Sequence, residues 1–548
     1  MSDTAARRGW VRRNPWLGPG VLFLAALLVR LINLSHTPVP DEFYHVLAAH
    51  SWLEGHGLSI SGGDYTRARL FTILVAEFFR FFGESLTVGR IPAMLAGSVL
   101  VPTVFLWVRS VADSRSAWAA GILVCISPLL IFLSQIVRFY TLQTLFFFLT
   151  SIAVYAVVTR QVRGIYAIWV AVAGICALAF ALELQVTSAI GSVGLVVWIA
   201  IFGFPGSSPA DADVRRIVIL VLGVFLVGAA AGAWLWSGHL AGLWHTFHVA
   251  PSWQAGMENN HRYYFYWFMG RYPTLWSLFP LAVLGGLVRR LRPVLFATVV
   301  FVVALAVHTV AGPKQDRYIA YVLPFFFVVW GIAIGEALPV VAELSRAAAR
   351  ATFGVGLRTG MARWFGWAGV MGVIGFAALS NPAFPLTYRM LTRSDADWTG
   401  NSDYRGHSDW AKVVPRLRPW VKGSDVILTT SGVKSLYYFG RYDFEINAGA
   451  VRESGTGHDF STNFRTGHRV IGNVAAIRLV MNCYRTGLVI AGTKRWERAQ
   501  RLVPRSISDY VRAHAVQIPL PKDSRMIAFK WDHLQNFSLD TRYCRKVR

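Results

Sequence analysis

Asp41 and Glu42 are adjacent carboxylates in the run Pro38-Val39-Pro40-Asp41-Glu42-Phe43-Tyr44-His45. They follow directly on an apolar segment long enough to cross a bilayer, so the pair is held at the membrane surface. An acid placed there can take a proton from a hydroxyl that arrives at the interface, and its neighbour can supply charge or a metal ligand. His45 stands one helical turn from Asp41, so Asp41, Glu42 and His45 form a candidate metal triplet for a divalent cation such as Mg2+ or Mn2+. A solvated or capping histidine is the plainer reading of His45. The acids have a plain reading too: Asp and Glu are common in a first helical turn, and a helix starting at Phe43 would account for both.

Cations and aromatics form a second set. Arg67, Arg69, Arg138, Tyr140, His261, Arg262, Lys314, Arg317 and Tyr318 are candidate substrate-binding residues. Arginine and lysine are the side chains that hold phosphate oxygens, arginine as a two-pronged donor. Tyrosine at a membrane boundary packs by default and can also stack on a sugar or a prenyl chain.

The elements that carry these residues follow from composition. The chain has 548 residues, 54% hydrophobic and only 15% charged, which excludes an ordinary soluble domain and indicates a polytopic membrane protein. The net charge of +25 is spread over loops and tail without a polybasic run, so membrane lipid, and no nucleic acid, is the expected partner. An uncleaved first span is expected over 17–34, since no small-residue cleavage site closes it. Later spans are expected near 90–108, 116–134, 141–158, 165–183, 186–204, 216–236, 273–288, 294–311, 318–338 and 364–380. Residues 70–82 are short and contain Glu77 and Arg80, and are assigned to the outer interface. With that choice Arg109, Arg115, Arg160, Arg163, Arg215, Arg289, Arg290, Arg292, Arg346 and Arg363 all fall in cytoplasmic turns; with 70–82 as a span they would all lie outside. The expectation is about eleven spans, N-terminus cytoplasmic and C-terminus outside. The acids, cations and aromatics above then share the outer side.

From residue 382 the sequence turns polar and mixed. Residues 425–430 and 487–492 read as buried strands, each followed by a helix, and 526–531 as a last strand. The expected fold is mainly α, a polytopic membrane helical bundle with juxtamembrane helices over 1–381 and an extracytoplasmic α/β domain over 382–548. Cys483 and Cys544 are the only cysteines of that domain and are expected to pair in an oxidising compartment.

Several segments together resemble the GT-C superfamily of membrane glycosyltransferases, especially the branch of the aminoarabinose transferase and the protein O-mannosyltransferases. They are Asp41-Glu42, Gly89-Arg90-Ile91-Pro92, Ser134-Gln135-Ile136-Val137-Arg138-Phe139-Tyr140, Arg271-Tyr272-Pro273 and Arg317-Tyr318 through Pro324, in order over about the first 340 residues. The resemblance implies inverting transfer of a sugar from a polyprenyl-phosphate donor to a glycan, lipid or protein acceptor on the outer or lumenal side; arginine outnumbers lysine, and a bacterial inner membrane is the expected location. Many relatives carry a second Asp where this chain has Arg138 or Tyr140. The chemistry requires a base for the acceptor hydroxyl and a cation for the departing phosphate. Asp41 is assigned as base, Glu42 as its charge or metal partner, and Arg138 with Arg317 to the lipid phosphate. A transporter or flippase of lipid-linked saccharide is the alternative, and it would show inverted repeats and interrupted helices. A silent scaffold presenting the C-terminal domain is a third reading.

Overall fold

The computed structural model describes residues 15–202, 257, 259–353, 359–392, 408–453, 459–497, 502–532 and 544. The first half contains α1 (Leu17–Leu31), α2 (Glu42–Leu53), the hairpin β1 (Ser59–Ile60) and β2 (Gly63–Asp64), α3 (Arg69–Phe82), α4 (Leu86–Val111), α5 (Ser114–Cys125), α6 (Pro128–Ser134), α7 (Tyr140–Val158), α8 (Ile165–Leu184) and α9 (Ser188–Phe202). Then come α10 (Tyr263–Arg271), α11 (Pro273–Ser277), α12 (Phe279–Val310), a 3-10 turn at Asp316–Tyr318, α13 (Leu323–Phe353), α14 (Thr359–Ser380) and α15 (Ala383–Thr392). The tail contains α16 (Val414–Gly423), β3 (Val426–Thr429), α17 (Gly432–Phe439), β4 (Phe444–Ile446), α18 (Ala448–Glu453), β5 (Phe460–Thr462), β6 (Arg469–Ile471), α19 (Val474–Cys483), β7 (Thr486–Gly492), α20 (Thr493–Glu497), α21 (Arg505–His514), β8 (Val516–Ile518) and β9 (Met526–Asp532).

Two compact units result, and they do not follow a single cut at residue 381. One comprises 1–34 and 90–399; the other joins 35–89 to 400–548. In the first, α4, α7, α8, α12, α13 and α14 are each long and apolar enough to cross a bilayer, and α5 with α6 makes a seventh as a pair bent by 58°. The chain is an integral membrane protein.

The described residues therefore give six or seven spans where about eleven were expected, for local reasons. The segments 273–288 and 294–311 are largely merged into α12, 32 residues long and broken only at Arg290, where φ is −138° and ψ 56°, close to Pro293. α1 and α9 have 15 residues each, below the roughly 20 of a perpendicular crossing. Pro128 has no N–H to donate and pushes Ser127 to extended backbone, which bends the 116–134 segment in two. The segment 216–236 lies outside the described residues. Within the bundle, small residues let helices approach: a Cβ on Gly331 or Gly335 of α13 would overlap Ala120 or Ser116 of α5.

In the second unit the seven strands are ordered β5-β6-β4-β3-β7-β9-β8. The centre, β6-β4-β3-β7, is parallel, and β5, β9 and β8 pair antiparallel at the flanks. Val426 and Leu428 enter one core with α19 and α21, while Ile427 enters another with α16, so β3 is buried on both faces as a parallel strand must be. Cys483 and Cys544 form a disulfide with Cα atoms 5.5 Å apart. α3 packs on α2 through Phe71, Thr72, Val75, Ala76 and Phe79, one face of a 14-residue helix too short to span.

Candidate functional site

The acid turn belongs to the second unit. Asp41 occupies the N-cap position of α2, half-buried, yet its side chain makes no capping hydrogen bond. Glu42 performs the local work. It is fully buried, its Oε1 accepts the N–H of Val39 at 2.8 Å, and its own N–H goes to the Val39 carbonyl at 3.1 Å. Two reciprocal bonds thus close the turn, and Pro38 and Pro40 restrict its remaining φ angles. The first-turn acids are therefore not equivalent: Glu42 secures the turn and Asp41 is presented by it.

His45 is a core residue, neither solvated nor a capping group. Its Nδ1 lies 2.9 Å from Thr72 Oγ1, and its Nε2 lies 3.2 Å from the Tyr65 hydroxyl. Thr72 gives its hydroxyl proton to the Ala68 carbonyl, so it accepts from His45 Nδ1–H, and Nε2 accepts from Tyr65. Both ring nitrogens are then engaged. The Asp41, Glu42 and His45 triplet does not fit a metal, and among the described residues no group of three or more His, Cys, Asp or Glu side chains is arranged to hold one. Arg67 is half-buried and Arg69 exposed, on either side of Ala68, whose φ of 48° starts α3.

The loop 463–468 of the sheet closes over the β1–β2 hairpin in the same unit. Gly62 N–H donates to the Thr466 carbonyl at 3.1 Å, Ser61 Oγ lies 2.8 Å from His468 Nε2, and a Cβ on Gly63 would strike the Arg465 backbone. Arg465 lies over the ring of Tyr44 at 5.1 Å. Burial raises the Tyr44 phenol pKa, and Arg465 opposes the shift. Tyr44 and Arg465 are site neighbours that sequence reasoning missed. Nothing local pointed to Arg465, because strand order is not written in the sequence.

In the first unit, Arg138 and Arg317 meet at one ring. Arg138 lies between α6 and α7, buried, with Nη2 donating to the Tyr140 hydroxyl at 3.3 Å and its guanidinium 5.4 Å from that ring. Arg317, in the 3-10 turn, is 5.7 Å from the ring of Tyr140 and 5.8 Å from that of Tyr318. Two guanidinium groups therefore lie against the ring of Tyr140, a pairing that an aromatic ring stabilises and that suits an oxyanion with several oxygens.

Of the other first-unit candidates, Lys314 has a structural role. Lys314 is fully buried and gives its ammonium protons to the carbonyls of His308, Thr309 and Ala311, closing the C-terminus of α12. It is a helix cap, which corrects its assignment to substrate. Burial holds its pKa below the usual lysine range. His261 Nδ1 approaches the same Thr309 carbonyl at 3.2 Å, and Arg262 is exposed at the N-cap of α10. The remaining motifs join helices: Arg90 donates to the Leu34 carbonyl, and the Tyr272 hydroxyl meets Ser127 Oγ at 3.3 Å beside the broken span.

No protein-family model matches the chain, and no curated protein matches it by sequence. Solved structures do. ArnT from Cupriavidus metallidurans is similar in its apo state (TM-score 0.62, 15% identity, 96% of this chain and 98% of that one) and bound to undecaprenyl phosphate (TM-score 0.59, 15% identity, 94% and 98%). The Archaeoglobus fulgidus oligosaccharyltransferase AglB, in complex with an inhibitory peptide and a dolichol-phosphate, has TM-score 0.53 at 11% identity over 89% of this chain and 70% of that one. At 11–15% identity what is shared is the path of the chain: this protein has the fold of ArnT and AglB.

Proposed function

We propose that the protein is a glycosyltransferase that moves a sugar from a polyprenyl-phosphate carrier to an acceptor hydroxyl at the outer face of the membrane. The observation that carries this reading is Asp41, an acid at a helix start that does not cap its helix. Structural relatives bound to undecaprenyl phosphate and dolichol-phosphate support the donor class. The Arg138–Tyr140–Arg317 arrangement supports it from within the chain.

In this reading Asp41 takes the acceptor proton as the acceptor oxygen attacks the anomeric carbon. The bond from that carbon to the phosphate oxygen breaks, and polyprenyl phosphate leaves with the electron pair. Arg138 and Arg317 stabilise the charge growing on the phosphate. A single displacement of this kind inverts the anomeric centre. Arg67, Arg69, His261, Arg262 and Tyr318 are secondary in the scheme, and no step is routed through a divalent cation. The acceptor is a glycan, lipid or protein. The protein lies in a bacterial inner membrane with its N-terminus cytoplasmic and its C-terminal unit outside.

The test is an assay of purified protein in nanodiscs against a panel of lipid-linked sugars, scoring released polyprenyl phosphate with and without EDTA. Release from at least one donor, unaffected by EDTA, is expected. Protein that binds undecaprenyl phosphate yet releases it from no donor would sink the reading; loss of release in EDTA, restored by Mg2+, would restore a metal to the mechanism.

A further inference from the structure

Residues 463–468 join β5 to β6, which pair antiparallel, and the loop is shaped by groups other than the side chain of Arg465. Asn463 organises it. Its N–H donates to the His468 carbonyl at 2.8 Å, and its own carbonyl accepts from the N–H groups of Thr466 and Gly467 at 3.1 and 2.7 Å. Its side chain accepts the Arg465 N–H at 3.0 Å and donates to Glu445 Oε2 at 2.9 Å. Gly467 turns the chain at a φ of 72°, against Gly62. The buried Tyr442 fastens the loop, its hydroxyl 2.6 Å from Thr466 Oγ1 and its ring stacked on His468 at 4.2 Å.

The Arg465 guanidinium lies over two rings, 5.1 Å from Tyr44 and 5.1 Å from Phe464. Phe464 is 76% exposed, whereas Tyr44 is half-buried and stacks on Tyr65 at 5.8 Å, so the guanidinium stands where the core meets open surface. Glu445, the buried carboxylate of β4, is engaged by Asn463. A guanidinium held against aromatic rings keeps N–H groups for an oxyanion, whose oxygens they match in pairs.

That position is tied to Asp41. Asp41 has helical dihedral angles, φ −67° and ψ −21°, so Tyr44, three residues on, lies one turn away on the same side of α2. Arg465 covers that same tyrosine. Asp41, Tyr44 and Arg465 all belong to the unit that joins 35–89 to 400–548. A hydroxyl that reaches Asp41 brings the groups beside it toward Arg465. Asp41 repels an acceptor that carries negative charge, and a guanidinium one turn away offsets that repulsion.

We propose that Arg465 is a specificity-determining residue of the acceptor subsite, pairing with an oxyanion, phosphate or carboxylate, that the acceptor carries near the hydroxyl offered to Asp41. The inference rests on the reading of Asp41 as the base. Arg138 and Arg317 serve the donor phosphate in that reading, so Arg465 adds a charge requirement on the acceptor alone.

The test is titration of the full chain, in nanodiscs of neutral lipid, with glucose 6-phosphate, glucuronate and glucose. The wild type is expected to bind at least one of the two anions about tenfold more tightly than glucose. Arg465→Gln is expected to lose that preference, Arg465→Lys to keep part of it, and Asp41→Asn to keep all of it. Unfolding temperatures of the Arg465 variants should stay near that of the wild type, because the loop is held by Asn463 and Tyr442. With an acceptor that gives turnover, Arg465→Gln should raise the acceptor KM about tenfold at unchanged donor KM. No anion preference in the wild type, the same preference in Arg465→Gln, or a rise in donor KM in place of acceptor KM would each overturn the proposal. Wild-type transfer by Asp41→Asn would overturn the base assignment instead, and the anion titration would still decide whether Arg465 holds an oxyanion.

Discussion

Asp41 and Glu42 differ by one position and about 100° around a helix, and that angle separates their tasks. Glu42 turns inward and is consumed by the turn; Asp41 stays at the edge of the core. Asp41→Asn keeps the shape but removes the proton acceptor, so transfer is expected to fall about 10²-fold or more, with undecaprenyl phosphate binding retained. Asn caps helices about as well as Asp, so a capping role would predict almost no change. Arg317→Ala should act on the other half of the chemistry, raising the donor KM and slowing transfer together, because one of two guanidinium groups on Tyr140 is gone. Arg317→Ala with wild-type donor affinity would remove Arg317 from the phosphate site.

At the scale of elements, several residues chosen for chemistry proved to be joints. Lys314 closes the end of α12 with three carbonyl bonds, so Lys314→Met is expected to lower the unfolding temperature while leaving undecaprenyl phosphate affinity unchanged. A selective loss of lipid affinity would return Lys314 to the substrate set. The Cys483–Cys544 bond ties residue 544 to the end of α19 across 61 residues. In the chain-entropy model closure of such a loop stabilises the fold by roughly 4 kcal/mol, so Cys544→Ser should give a clear downward step in the unfolding of the C-terminal unit. Equal unfolding with and without the bond would show that the sheet alone determines stability there. The pairing was legible because only two cysteines lie in the polar tail, whereas the cap was not: a lysine near tyrosines and an arginine reads the same whether its partner is phosphate or a helix end.

For the whole molecule, orientation depends on charge in the turns. Ser114 follows the basic turn at Arg109, and Lys522 is exposed in the C-terminal unit. In a Cys176→Ser background, Ser114→Cys should be labelled only from the cytoplasm and Lys522→Cys only from the opposite side. Labelling of both from one side would overturn the arginine-based topology. The same unit that carries Lys522 also carries 35–89, so the acid turn and the C-terminal sheet fold as one body.

The sequence by itself determined the class of the protein, because apolar runs of bilayer length and a polar tail with strand-then-helix alternation are properties of consecutive residues. It also singled out Asp41 and the Arg138 to Tyr140 segment, since residue type and position beside a span are local facts. It did not determine the number of spans, for a kink at Arg290 and a break at Pro128 depend on whether neighbouring helices accept a bent partner. Nor did it decide which carboxylate faces inward, that both nitrogens of His45 are taken by Thr72 and Tyr65, or that Tyr437 and Tyr438, almost four hundred positions away, pack on Phe43 beside the acid turn. Those outcomes are set by long-range packing: a buried polar group must find its partner in three dimensions, and sequence spacing places no limit on where that partner comes from.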